Sequence, residues 1–108
     1  MIRTAHIREQ VDGERLDITI RNNPAHVLSP TWHMVMKFKV NRTSWPAYKR
    51  QYMALMQERW KDRRDDFLSI LATARKKDIY LACFCHEDRH CHRRLAKEFL
   101  EGLIHKGY

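Results

Sequence analysis

Glycine and proline are scarce in this chain, three of each in 108 residues. Those two residues are the strongest punctuators of chain direction, so their scarcity argues against a loop-rich or low-complexity architecture. Regular elements with short connections are expected instead, in one domain spanning residues 1–108, since that length suits a single core. Long apolar runs are missing too. No stretch approaches the roughly 20 residues that cross a bilayer, and the opening "MIRTAHIREQ" lacks the apolar segment of a secretory signal. The expectation is a soluble, cytoplasmic protein with no membrane partner. Cysteine is sparse and odd in number: Cys83, Cys85 and Cys91 all fall within nine residues. Such a cluster cannot build the long-loop disulfide framework of small secreted domains, which points to a reducing compartment.

Positive charge is what the chain has in excess. Lysine and arginine number 21 against 13 acids, a formal net charge of +8. A balance of that kind favours polyanions, so a nucleotide or nucleic acid is the expected partner, with an acidic protein surface as another candidate. The basic residues are spread along the chain rather than gathered in a tail, and a charge that serves only solubility is the competing reading. A domain of this size can exist as a monomer or a homodimer.

Apolar spacing gives the order of elements. Residues 2–11 partly alternate and are expected to contain a strand. The segment 15–21 is clearer, with Leu16, Ile18 and Ile20 opposed to Arg15, Asp17 and Thr19, and Gly13 in the turn before it. "NNPAHVLSPT", 22–31, reads as a loop leaving the end of that strand. Beyond Thr31, the residues Trp32, Val35, Met36 and Val40 have helical spacing. A second helix has Ser44 as its N-cap and Pro46 in its first turn, with Tyr48, Tyr52, Leu55, Met56 and Trp60 on one face. The third, 65–77, opens on acids and closes on bases, with Phe67, Leu68, Leu71 and Ala74 inward. "DIYLACFC", 78–85, is a nearly unbroken apolar run, the mark of a strand buried on both faces of a parallel sheet. In the last helix Leu95, Ala96, Phe99, Leu100, Leu103 and Ile104 face inward, and Gly107 ends it. The order implies a small α/β layered fold with a right-handed crossover between 15–21 and 79–85.

The chemistry is concentrated in "CFCHEDRHCHRR", 83–94. Ligands of open parallel sheets bind beyond the C-terminal ends of the strands, and loop 22–31 leaves the other strand at an end of that kind, so both segments are expected at one edge. Arg93 and Arg94, at a helix N-terminus, are candidate anion-binding residues, with Arg21 across from them. Solvation, or pairing with Glu87 or Asp88, is the plainer reading of these arginines. His92 is the candidate general acid or base. Cys91 and Cys85 are candidate reactive thiols, since a helix N-terminus and nearby cations favour the thiolate. Ser29, Trp32, His86 and His90 are expected to line the pocket. Zinc or iron would draw on Cys85, Cys91 and His92, but the spacing departs from C-x2-C knuckles and no second knuckle exists, so no cofactor is expected. Cys83 reads as core packing. Cys83 and Arg89 stand at the C-x5-R spacing of tyrosine phosphatases, yet "FCHED" holds no small residue to wrap a phosphate and adds two acids. Trp45, Tyr48, Tyr52 and Trp60 read as core by their spacing, while Trp32, next to the loop, is the best candidate to stack on a base.

"IYLACFCHEDRHCHRRLAKEFL" resembles the C-terminal signature of the bacterial and phage family called domain of unknown function 488: an apolar strand ending in cysteine, a short acidic loop, then Cys-His-Arg and an amphipathic helix. "LDITIR", "LSPTWHMVMKF" and "WPAYKRQYMALM", with its Arg50-Gln51-Tyr52, are similar to upstream segments of that family. The likeness spans roughly 15–104, and Cys91-His92-Arg93 is its most specific part. The extra Cys83 and the compact size depart from it. The resemblance implies a Rossmann-like layered fold with a short, mostly parallel sheet flanked by helices, and no settled reaction. Two functional expectations follow. One is a domain that binds a nucleotide or nucleic-acid phosphate at 85–93, with His92, Cys91 and Cys85 as its chemistry if it is an enzyme. The other is a non-catalytic nucleic-acid- or protein-binding module whose Cys/His corner is structural, with zinc in one version of it.

Overall fold

Among the residues described by the computed structural model, 1–84 and 90–108, the chain runs through strands β1 (Ile2–His6) and β2 (Glu14–Asp17) and helices α1 (Trp32–Lys39), α2 (Trp45–Asp62) and α3 (Arg64–Lys76). It then enters strand β3 (Ile79–Cys83) and ends with helix α4 (His92–His105). The sheet order is β1–β3–β2 and both pairings are parallel. The apolar run takes the centre, as its composition demands, and Ile79, Leu81, Ala82 and Cys83 are all buried. Ile2 pairs with Ile79 and His6 with Cys83 on one side; Glu14 pairs with Ile79 and Asp17 with Ala82 on the other. The C-terminal ends of all three strands therefore share one edge. This is a small α/β fold with a parallel sheet, in line with the sequence.

The flanking strands are shorter than their patterns. β1 stops at His6, where the Glu9 amide donates to the His6 carbonyl and the Arg8 amide to His6 Nδ1. Ladder bonding along β2 continues to the Ile18 amide, which donates to the Ala82 carbonyl, but the Asp17 carboxylate then captures the Thr19 amide and hydroxyl and turns the chain. The alternation of 15–21 is broken there, and Ile18 and Thr19 are both buried. Gly13 is needed at the start of β2 because a Cβ there would lie 2.4 Å from the Asp78 carbonyl oxygen.

Helix ends follow local chemistry. Thr31 and Ser44 cap α1 and α2 through their hydroxyls, each accepting an amide at 3.2 Å. Helix α1 ends with Asn41 at φ 57° and α4 with Gly107 at φ 100°. In both, paired amides fold back in a Schellman motif: Arg42 to Lys37 with Asn41 to Phe38, and Tyr108 to Leu103 with Gly107 to Ile104.

Helix α2 buries Tyr48, Tyr52, Met56 and Trp60, as its spacing predicts. Helix α3 buries Phe67, Ile70, Leu71 and Ala74, so Ile70 takes the inward place expected for Leu68, which is exposed. Helix α4 lies on β1 and β3 and against α2 and α3. Its Leu95, Ala96, Phe99, Leu100 and Leu103 are buried while Ile104 is outside. Each such large side chain contributes about 1.5–3 kcal/mol by leaving water. Helix α1 forms where the spacing of Trp32, Val35, Met36 and Val40 predicts it, but it is Met34 that is buried, while the stripe Trp32, Met36 and Val40 is exposed. Met34 and Phe38 lie two residues, about 200°, around the helix from that stripe. Both faces are apolar, and packing against α2 chose between them. No described helix is long and apolar enough to cross a membrane.

Candidate functional site at the strand ends

One wall of the site is the 18–31 loop, which is held from beneath. Asp17 Oδ1 accepts from the Thr19 amide (3.0 Å) and hydroxyl (2.7 Å), and Oδ2 accepts from Asn22 Nδ2 (3.2 Å). Burial raises the Asp17 pKa, but the bonds from the Thr19 side chain and backbone and from Asn22 outweigh it and hold the carboxyl below its ordinary value. Ser29 Oγ is buried 2.7 Å from the Asn23 carbonyl and 3.2 Å from that of Ile18. Val27, Leu28, Ser29 and Pro30 are all buried, and a buried loop must satisfy its backbone. Helix α2 and its C-cap Arg63 supply the donors: Tyr52 Oη to the Leu28 carbonyl (2.6 Å), Arg59 Nη1 to those of Val27 (2.7 Å) and Ser29 (2.5 Å), and Arg63 Nη2 to that of Ala25 (3.1 Å). Burial pushes the Tyr52 phenol well above its ordinary pKa and lowers that of Arg59. The result is a fixed loop that carries Arg21 at one end and Trp32 at the other.

The opposite wall is the start of α4. His92 is buried with Nε2 2.7 Å from the Ile18 carbonyl. A carbonyl can only accept, so Nε2 carries the hydrogen and the neutral ring has its lone pair on Nδ1. That atom is 3.8 Å from Cys91 Sγ, within reach of a thiol donor. Cys91 Sγ is in turn 2.7 Å from Cys83 Sγ, the end of the central strand. Arg93 is fully buried, its Nη1 donating to the Ala5 carbonyl at 2.7 Å. Its Nε and Nη2 have no hydrogen-bond partner among the described residues. His92 and Arg93 thus tie the first turn of α4 to the ends of β2 and β1.

Between these walls lies a cavity of about 670 Å³. Cys83, Cys91 and His92 line it, Trp32, Phe38, Trp45 and Tyr48 give it an aromatic side, and Arg21 and Lys39 bring positive charge. Trp45 stacks on His90 at 4.4 Å and on Tyr48 at 5.5 Å, with interplanar angles of 16° and 13°. Phe38 meets Trp45 and Tyr48 at a tilt.

A family model described as the active DUF488-N3 subclade matches residues 3–102. The chain belongs to the DUF488 family. The match takes in β1, upstream of the segments whose likeness is visible by eye. No curated protein and no solved structure matches the chain.

In this DUF488 domain His92, Cys91, His90, Trp32 and Arg21 converge on the cavity. Ser29 does not line it, being turned under the loop to bond backbone carbonyls. Arg93 does not line it either: the helix rotation that brings His92 toward β2 sends the next side chain toward β1 and Ala5. Arg94 is exposed outside the cavity. Cys85 and His86 lie outside the described residues. Among the described residues no group of three or more His, Cys, Asp or Glu side chains is arranged to hold a metal ion. Among the lining residues that sequence reasoning missed as site residues are Phe38, Lys39, Trp45, Tyr48, Cys83 and Phe84, with Thr19, Ile20 and Val35 filling in between them. Trp45 and Tyr48 share the inner stripe of α2, so the only signal was that this stripe begins at a capped helix start. Cys83 is core by burial, as expected, and a site residue as well.

Proposed function

We propose that the cavity of this DUF488 domain binds a nucleotide, free or within nucleic acid, with the base against the aromatic side and the phosphate at Arg21 and Lys39. The observation that carries this is the combination of five aromatic rings, those of Trp32, Phe38, Trp45, Tyr48 and Phe84, and two cations around one cavity at the ends of parallel strands. The net charge of +8 supports a polyanionic ligand. The thiol-lined floor suits a reducing, cytoplasmic setting. In a catalytic version, His92 Nδ1 takes the Cys91 proton and the thiolate is the nucleophile toward a bound ligand. That the matched subclade is described as active supports this version. The bonds of His92 to Ile18 and of Arg93 to Ala5 favour the second reading, in which the corner is structural and the domain only binds.

Titration of the full chain with adenosine monophosphate and with a short single-stranded oligonucleotide, followed by tryptophan fluorescence and calorimetry, tests the binding. Loss of one base-stacking ring is worth about 1–3 kcal/mol, so Trp32→Ala is expected to weaken binding roughly 5- to 150-fold. Arg21→Ala with Lys39→Ala is expected to weaken it further, and Arg75→Ala, on α3, to leave it unchanged. Equal losses from the cavity and the α3 substitutions would reduce the interaction to general charge and overturn the proposal.

A further inference from the structure

We infer that Cys83 and Cys91 form a reversible disulfide in the cavity by exchange with a low-molecular-weight disulfide. Their sulfur atoms are 2.7 Å apart, about 0.65 Å beyond the roughly 2.05 Å of a formed bond. Neither residue has to travel. Cys83 ends the central strand, paired with His6, and its carbonyl accepts from the Ile7 amide at 2.8 Å. Cys91 is the N-cap of α4, whose next two residues are anchored to Ile18 and Ala5. Both side chains are almost wholly buried against protein, at 2% and 3% exposure, yet both line the cavity, which is the route for a small reagent.

The geometry also divides the roles. Cys91 is the attacking thiol, because His92 Nδ1 stands 3.8 Å from its sulfur and accepts its proton. The Cys91 thiolate attacks one sulfur of the small disulfide; that S–S bond breaks, a mixed disulfide forms on Cys91, and the first small thiolate leaves and is protonated. Cys83 then attacks Cys91 Sγ, forming the internal bond and expelling the second small thiol, which carries away the Cys83 proton. The protein loses two electrons and two protons, and the small disulfide gains them. Once bridged, Cys91 has neither a nucleophilic sulfur nor a proton for His92, so the bond switches off whatever thiol chemistry the site performs. This inference does not depend on nucleotide binding.

The test uses the full chain equilibrated in graded mixtures of reduced and oxidised glutathione, quenched with N-ethylmaleimide and cleaved with trypsin. Mass spectrometry should find peptide 78–89 joined to peptide 90–93, with fragmentation placing the bond on Cys83 and the alkyl group on Cys85. Cys85→Ser should keep the bridge, and Cys83→Ser should lose it. A wild-type bridge through Cys85 would overturn the inference, as would three alkylated cysteines at the most oxidising ratio. Neither readout involves a nucleotide, so failure here and failure of the binding proposal are separable.

Discussion

Replacing Arg93 by methionine is predicted to leave stability nearly unchanged, although a buried charged residue is being removed. Arg93 makes a hydrogen bond from Nη1 to the Ala5 carbonyl, 2.7 Å long, while Nε and Nη2 meet no partner among the described residues. A hydrogen bond to a charged group contributes about 1.5–3 kcal/mol, and each buried donor left unmatched costs about 1–3 kcal/mol. Two unmatched donors thus offset the bond or exceed it. Methionine keeps most of the aliphatic stem in its packing and removes both unmatched donors, so a change within about 1 kcal/mol, or a gain, is expected. Arg93→Ala is different, because it also empties a closed site; truncations of that kind cost about 2–5 kcal/mol. Urea unfolding followed by far-ultraviolet circular dichroism measures both, with equal slopes as the condition for comparing midpoints. A loss above about 3 kcal/mol in Arg93→Met would refute the reasoning, since that is the scale of breaking a buried pair. It would mean that Nε and Nη2 are bonded in the folded chain.

Two other predictions concern the elements that frame the site. Gly13→Ala places a Cβ 2.4 Å from the Asp78 oxygen and 3.0 Å from the Tyr80 ring, and overpacking of this kind costs about 1–3 kcal/mol; hydrogen exchange should show faster opening at the Glu14 and Ile18 amides, which bond to Asp78 and Ala82 of the β3 segment. Burial, and then the Arg63 charge, lower the pKa of His26, so folding favours the neutral ring. That contribution is whole above the ordinary imidazole value of roughly 6.5 and is lost as pH falls through the lower folded value. The midpoint of thermal unfolding should therefore drop between pH 7 and pH 5, and less so in His26→Gln; identical slopes in the two proteins would exclude His26 as the cause.

The elements were legible because their signals are local. A continuous apolar run at 79–83 identifies a doubly buried strand, Ser44 and Pro46 identify a helix start, and Gly107 identifies a stop. Which face of a helix is buried is not always settled locally. Helix α1 has apolar residues on both faces, and Leu68 and Ile70 flank the inner stripe of α3 on opposite sides, so neighbours decided which was buried. Strand β2 ended early because the Asp17 carboxylate competed for the Thr19 amide, a hydrogen bond that alternation does not register.

The candidate site divides in the same way. By itself the sequence determined that cysteine, histidine and arginine gather between a central strand and a helix start, since strand, cap and helix are set by neighbours in the chain. Only the tertiary structure decided which of them face the cavity. Consecutive helix residues point about 100° apart, so once α4 lay on the sheet, His92 met the end of β2 and Arg93 the end of β1. The same docking set Cys91 against Cys83, eight residues earlier, and turned a presumed core thiol into one half of a pair. The aromatic side came from α1 and α2, far away in sequence, and their rings reached the cavity because all the strands end at one edge.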